Sequence, residues 1–230
     1  DNGDIIQGDP AVYFFNFEDT NSTHLLTKAF DLLAYDAATV GNHDIEAGHP
    51  VYDRIHAELN IPWMAANCIN TETGEPYFEP YAIIQKEKIK VAVLGLITPR
   101  IPDWLPENIW EGMEFQDMIE AAKQWVPIIL EKEKPDLLIG LFHAGVEYTY
   151  NNQDENTPRN ENAVRLVAQQ VAGFDIIFAG HDHKTWNEYQ LNPNGDSVLI
   201  LGSESRGREI AQADIQLQKK GRKWEITQLL

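Results

Sequence analysis

The chain has 230 residues, 43% of them hydrophobic and 23% charged, a composition that suits one large globular domain. Eighteen basic residues against thirty-six acidic ones leave a formal charge of −18, which disfavours nucleic-acid polymers and anionic lipid surfaces as partners. The lone Cys68 excludes an internal disulfide and a cysteine-built metal cluster, and the longest apolar run, residues 91–97, is too short for membrane insertion.

Along the first three-quarters of the chain, helical and strand patterns alternate. Ser22 and Thr23 occupy N-cap positions ahead of Leu25, Leu26, Ala29, Phe30 and Leu33 at helical spacing. Residues 37–40 read as a short buried strand ending at Gly41. Pro50 then opens a second helix with Val51, Ile55 and Leu59 on one face. Residues 61–66 read as the next strand, and 70–80 as a loop containing Gly and Pro. Residues 81–84 and 89–97 read as two strands joined by a charged turn. Met118, Ala122, Trp125 and Ile129 mark a helix in which Pro127 predicts a kink. Residues 137–142 form a strand, 163–171 a helix and 175–179 another strand. From Trp186 onward only strand patterns follow: residues 198–201, then Ala211, Ala213, Ile215 and Leu217 at period two, then 224–227. Helix-separated strands predict parallel pairing, and the closing run predicts antiparallel hairpins, within one α/β domain of two mixed sheets with helices outside.

Four short apolar segments run directly into loops carrying Asp, Asn or His: Asn2-Gly3-Asp4, Gly41-Asn42-His43-Asp44, His143-Ala144-Gly145 and Gly180-His181-Asp182-His183. In open α/β sheets the carboxyl ends of strands gather along one crevice, so such loops can converge. Oxygen and imidazole ligands without thiolate suit Mn, Fe, Zn, Co or Mg, and a bound cation would let so acidic a protein accept a small anionic substrate. His24, His49 and His56 lie in or beside helices without ligand-like neighbours and read as ordinary core or surface residues.

Together these blocks resemble the metal-binding motifs of calcineurin-like metallophosphoesterases. Their order and spacing are similar to those of the branch containing bacterial periplasmic 5′-nucleotidases and 2′,3′-cyclic-nucleotide phosphodiesterases. Residues 4–8 (D-x-x-Q-G), 91–99 (VAVLGLITP) and 202–207 agree with that branch, so the resemblance covers essentially the whole chain. It implies a single domain over residues 1–230 with the αββα sandwich fold, two packed mixed β-sheets flanked by helices. It also implies two divalent ions, roughly 3–4 Å apart. Asp4 would bridge both; Asn42, His143 and His181 would complete one site, and His183 would belong to the other. His43 would bind the substrate phosphate and help protonate the leaving oxygen. Glu46 would orient the His43 ring where family members often carry Asp, and Asp44 would hold the loop. Asn42 and Arg206 are further candidate substrate contacts.

The activity implied is metal-dependent hydrolysis of phosphate esters, above all nucleotides, falling off at low pH as histidines protonate. Sugar-nucleotide pyrophosphatases and hydrolases of other oxyanion esters belong to the same superfamily, and a non-catalytic metal-binding or recognition domain is the reading from a different class. Relatives of this kind imply a periplasmic, cell-surface or secreted location. The family's first block, Asp-x-His, is not found ahead of Asp4, and its C-terminal nucleotide-gripping domain is not found before Leu230. The chain is therefore expected to be part of a longer protein, lacking an N-terminal strand and a substrate domain.

Overall fold

The computed structural model describes residues 1–221 and 223–230. Asp9 caps a short helix, α1 (Pro10–Tyr13), which runs on into one π-helical turn, Phe14–Glu18. Neither piece is long enough to show a helical period in the sequence. Helix α2 (Leu25–Leu33) is capped by His24 rather than by Ser22 or Thr23. The buried His24 ring accepts the Leu26 N–H through Nδ1 at 3.2 Å and meets Asn16 Oδ1 through Nε2 at 3.0 Å, so it is a satisfied core residue. Strand β1 (Ala38–Thr39) leads to α3 (Asn42–Glu46), α4 (His49–Glu58) and β2 (Trp63–Met64). The sequence predicts a loop from Gly41 to Asp44; the structure has a helix there, and five residues carry too little periodicity to reveal it. His49 pairs with Asp53, and His56 with Glu79.

Strand β3 (Cys68–Asn70) falls between the strand expected over 61–66 and the loop expected over 70–80, overlapping that loop only at Asn70. It is followed by β4 (Tyr81–Lys86), β5 (Ile89–Ile97), α5 (Ile101–Trp104) and β6 (Met113–Phe115), the last pairing antiparallel with β3. Helix α6 (Met118–Lys132), capped by Asp117, runs unbroken through Pro127 and leads into β7 (Leu137–His143). Then come α7 (Val164–Gln170), β8 (Ile176–Ala179), β9 (Trp186–Leu191) and β10 (Ser197–Gly202). The chain closes with an antiparallel hairpin, β11 (Ile215–Lys220) and β12 (Lys223–Leu229). Ala211 and Ala213 precede this hairpin and pack on the Ile176–Leu199–Leu201 cluster instead of extending its first strand.

Six strands form one mixed sheet in the order β4-β5-β7-β8-β10-β9, with β5, β7, β8 and β10 parallel and both edge strands antiparallel. Alternation along the strands divides the core. Leu94 and Leu96 of β5, Phe142 of β7 and Ile200 of β10 pack with α6 and α7. Val93 of β5 and Leu141 of β7 face Met64 of β2 on the opposite side. There the parallel pair β1–β2 forms the second layer, covered in turn by residues of α1, α2 and α4. Helix, sheet, sheet and helix layers therefore follow one another. Residue 1 lies beside β1: its ammonium donates to the Ala37 carbonyl at 3.0 Å and its carbonyl accepts the Thr39 N–H at 3.1 Å. Thr39 Oγ1 ties the two sheets by donating to the Leu141 carbonyl at 2.8 Å.

The sheets approach so closely at Gly95 that a Cβ there would lie 2.3 Å from Met64 Cβ. Gly95→Ala is expected to destabilise the chain by about 2 kcal/mol, seen as a lowered midpoint in urea or thermal unfolding. A second test concerns Asp175, which enters β8 and accepts the Leu138 N–H at 2.8 Å. Burial, reinforced by Asp196, pushes its carboxyl up to about 6. A carboxyl that holds its proton more tightly when folded contributes stability below about pH 4, and that contribution is lost as pH rises through about 6. Asp175→Asn is therefore expected to raise the unfolding free energy from urea titration at pH 8 by about 1 kcal/mol, with the gain vanishing toward pH 4.

Candidate metal centre and cleft

The carboxyl ends of the parallel strands open onto one crevice, and all four motif segments meet there. His143 is the last residue of β7, His181 follows β8 by two residues, and Asn42 opens α3 just after β1. Asp4 is brought to the same point by Asp44, whose buried carboxylate accepts the backbone N–H groups of Asp4, Ile5, Ile6 and Gly41 at 3.0, 2.8, 3.1 and 2.7 Å. One side chain thus folds the 1–6 segment against the start of α3, which is the loop-holding part expected of Asp44. The close fit leaves no space at Gly41, where a Cβ would fall 2.2 Å from Asp4 Oδ1. Asp4 and His181 hold φ values of 61° and 69°, a left-handed backbone that costs about 1 kcal/mol or more in a non-glycine residue.

Four polar atoms converge. Asn42 Oδ1 lies 3.0 Å from His143 Nε2 and 3.0 Å from His181 Nδ1, and Asp4 Oδ2 lies 3.1 Å from His143 Nε2. The outer nitrogens of both rings are already engaged. His143 Nδ1 is 2.6 Å from the Asn2 carbonyl, and His181 Nε2 is 3.1 Å from Glu161 Oε1. A carbonyl and a carboxylate can only accept, so each outer nitrogen carries the N–H. In the neutral rings the two inner nitrogens are then lone pairs, facing a carboxylate and an amide oxygen. Four acceptors around one point, without a donor between them, are electrostatically unfavourable until a cation or a proton enters.

The ionisation of the pair reflects this. Burial alone would raise the Asp4 carboxyl, but His143 and the His43 N–H bring it down to about 2. Burial alone would lower His143, yet Asp4 and the Asn2 carbonyl hold it above the ordinary imidazole range. Burial, and then the neighbouring Asp4 charge, lift Asp44 to about 6 against its N–H donors. Two imidazoles, a carboxylate and an amide oxygen are a donor set suited to a divalent ion of the Mn, Fe, Zn or Co kind. Among the described residues, no three or more His, Cys, Asp and Glu side chains form a metal-holding group by themselves. The convergence depends on the Asn42 amide oxygen.

His43 sits beside this point rather than in it. Its N–H donates to Asp4 Oδ1 at 2.9 Å and its Nδ1 lies 2.5 Å from Glu46 Oε2, which also accepts from Gln7 Nε2 at 2.7 Å. Asn42, His43, Glu46 and His181 form one wall of a cleft of about 400 Å³, with Trp104, Tyr150 and Glu161 also lining it. His183 is exposed, with φ of 54°, and hydrogen-bonds to none of the other candidates. Arg206 is exposed in the turn after β10 and does not line this cleft. The sequence reading passed over Glu161 and Trp104. The one available signal for Glu161 was its place between Asn160 and Asn162, just ahead of a helix.

A family model for calcineurin-like phosphoesterase matches residues 1–185. The chain belongs to that family. It is similar to the trifunctional nucleotide phosphoesterase protein YfkN of Bacillus subtilis, at 29% identity over 250 aligned positions covering 98% of this chain and 17% of that one. A crystal structure of the YfkN calcineurin-like phosphoesterase superposes with a TM-score of 0.81 at 27% identity, over all of this chain and 74% of the other. A 2′,3′-cyclic-nucleotide 2′-phosphodiesterase/3′-nucleotidase of Yersinia enterocolitica is 26% identical over 99% of the chain and 37% of its own length. A 5′-nucleotidase of Vibrio cholerae is 34% identical over 68% of the chain and 28% of its own. The chain thus spans well under half the length of these curated relatives.

Because Asp44 alone satisfies four backbone donors, Asp44→Ala is expected to cost about 3–5 kcal/mol in urea unfolding. Asp44→Asn, which keeps one accepting oxygen, should cost roughly half as much.

Proposed function

We propose that residues 1–230 act as one catalytic domain that hydrolyses phosphate esters of nucleotides with the help of a divalent metal. The observation that carries this reading is the convergence of Asp4, Asn42, His143 and His181 beside the His43–Glu46 pair in an open cleft. Family membership and the nucleotide-directed names of the relatives support it. A 5′-nucleotidase or a 2′,3′-cyclic-nucleotide phosphodiesterase reaction fits equally, and a periplasmic or cell-surface location accompanies either.

Asp4, Asn42, His143 and His181 would hold the ion. When bound, it supplies Lewis-acid activation of water and offsets the repulsion between a phosphate ester and a protein of net charge −18. A second ion of the family type would share Asp4 and take His183, which would have to turn inward from its exposed position. Glu46 accepts a hydrogen bond from the Nδ1–H of His43 and so fixes the ring. In the imidazolium form the Nε2–H is then the group that donates to a phosphoryl oxygen and gives its proton to the leaving oxygen, which leaves the neutral Nδ1–H ring on Glu46. Asn42, through its position at the start of α3, places His43 next to the ion-binding point, and the His43 N–H on Asp4 Oδ1 locks the two together. Trp104 and Tyr150, 41% and 56% exposed, line the cleft beside His43 and His181 and would offer aromatic faces to a base.

Hydrolysis of a nucleoside monophosphate and of a 2′,3′-cyclic nucleotide, followed with and without Mn(II), tests the reading. Turnover should depend on the metal and disappear with a chelator. His43→Ala should lower kcat/KM by about 10²–10⁴ with folding intact, and Asp4→Asn should abolish stimulation by metal. Full activity in both variants would show that these residues do not form the site.

A further inference from the structure

We infer that Glu161 is a positioning residue for His181: it fixes which nitrogen of that ring faces the ion-binding point. The inference rests on the metal-site reading above and adds a residue to it. His181 Nε2 lies 3.1 Å from Glu161 Oε1, and the two side chains are only 14% and 13% exposed. The opposite nitrogen, Nδ1, is the one 3.0 Å from Asn42 Oδ1.

An imidazole on a flexible side chain has two uncertainties to resolve. Turning the ring by half a revolution exchanges nitrogen for carbon at both edges, and shifting the proton between nitrogens exchanges donor for lone pair. The Glu161 carboxylate settles both at once. It accepts only from N–H, so a turned ring would present C–H to it, and the other tautomer would set lone pair against carboxylate. Trp104 restrains the remaining freedom, since its indole stacks on His181 with centroids 5.5 Å apart and planes 23° from parallel. His143 is held by the same logic through a different group, the Asn2 carbonyl at 2.6 Å. Both imidazoles are therefore oriented from behind by acceptors, one backbone and one side chain. Only the side chain can be removed by substitution.

The Glu161 side chain has His181 as its partner, while its backbone does separate work: its N–H donates to Gln153 Oε1 and its carbonyl accepts from Thr98 Oγ1. Replacing the carboxylate leaves those anchors in place. Outer partners of ligating histidines typically change metal affinity about 10–100-fold when lost.

The experiment compares wild type, Glu161→Leu and Glu161→Gln by calorimetric titration with Mn(II) and Zn(II). Long-range ¹H–¹⁵N correlation of the His181 ring in the metal-free chain at pH 8 provides the second readout. Wild type should show the Nε2–H tautomer alone. Glu161→Leu should show a mixture and bind metal at least 10-fold more weakly, and Glu161→Gln, which keeps an accepting oxygen without the charge, should weaken binding less. A folded Glu161→Leu variant with wild-type affinity and an unmixed Nε2–H ring would overturn the inference. If that variant fails to fold, Glu161→Gln decides: a loss of three-fold or more supports positioning, and unchanged affinity overturns it. Failure of the wild-type chain to bind either metal would instead overturn the metal-site reading itself.

Discussion

The site is organised around an electrostatic conflict, four acceptor atoms directed at one point by a scaffold that turns the outer N–H of each histidine ring away from it. The Asn2 carbonyl and the Glu161 carboxylate accept from the outer N–H groups of His143 and His181, and Asp44 accepts from the backbone donors of the 4–6 segment and Gly41. What remains facing inward is a carboxylate, an amide oxygen and two ring nitrogens. Such an arrangement is unfavourable in an empty protein and favourable around a cation, so much of the surrounding structure exists to keep it from relaxing. The left-handed backbones at Asp4 and His181 are part of that restraint.

The restraint comes from both sheets. The six-stranded sheet supplies His143 and His181 from adjacent parallel strands, and the β1–β2 layer supplies Asn42 and, through Asp44, the position of Asp4. Their registration depends on the contact at Gly95 and Met64 and on the Thr39 hydroxyl reaching across to Leu141. Asn2 closes the gap, its amide donating to the carbonyls of Phe142 and Phe178 at the ends of β7 and β8. Packing between layers is thus directly coupled to ligand geometry, and a displacement of one sheet by an ångström would separate Asn42 from both rings.

The net charge of −18 would repel a phosphate ester at long range. A divalent ion held by Asp4, Asn42, His143 and His181 would reverse that locally, beside a cleft that Trp104 and Tyr150 also line. His43 and Glu46 belong to this outer zone. Their short contact sits on the exposed side of α3, open to solvent.

The strand and helix order, the αββα layering and the four motif loops were readable from the chain alone, because apolar alternation and strand-end polar clusters are local patterns with a physical cause. The π-turn at 14–18 and the short α3 were not, since five residues are too few to show a period, and neither was His24 as a cap, because its ring bonds the Leu26 N–H and Asn16 only once folded. The sequence also placed Asp4, Asn42, His143 and His181 in one set by resemblance, without determining that Asn42 would be their common neighbour. Tertiary structure alone decided which ring nitrogen of each histidine faces inward, that Glu161 and Trp104 would hold His181, and that His183 would stand apart. The reason is one of distance: Glu161 is twenty residues from His181 and Asn2 is 141 from His143, separations over which the chain carries no periodic signal.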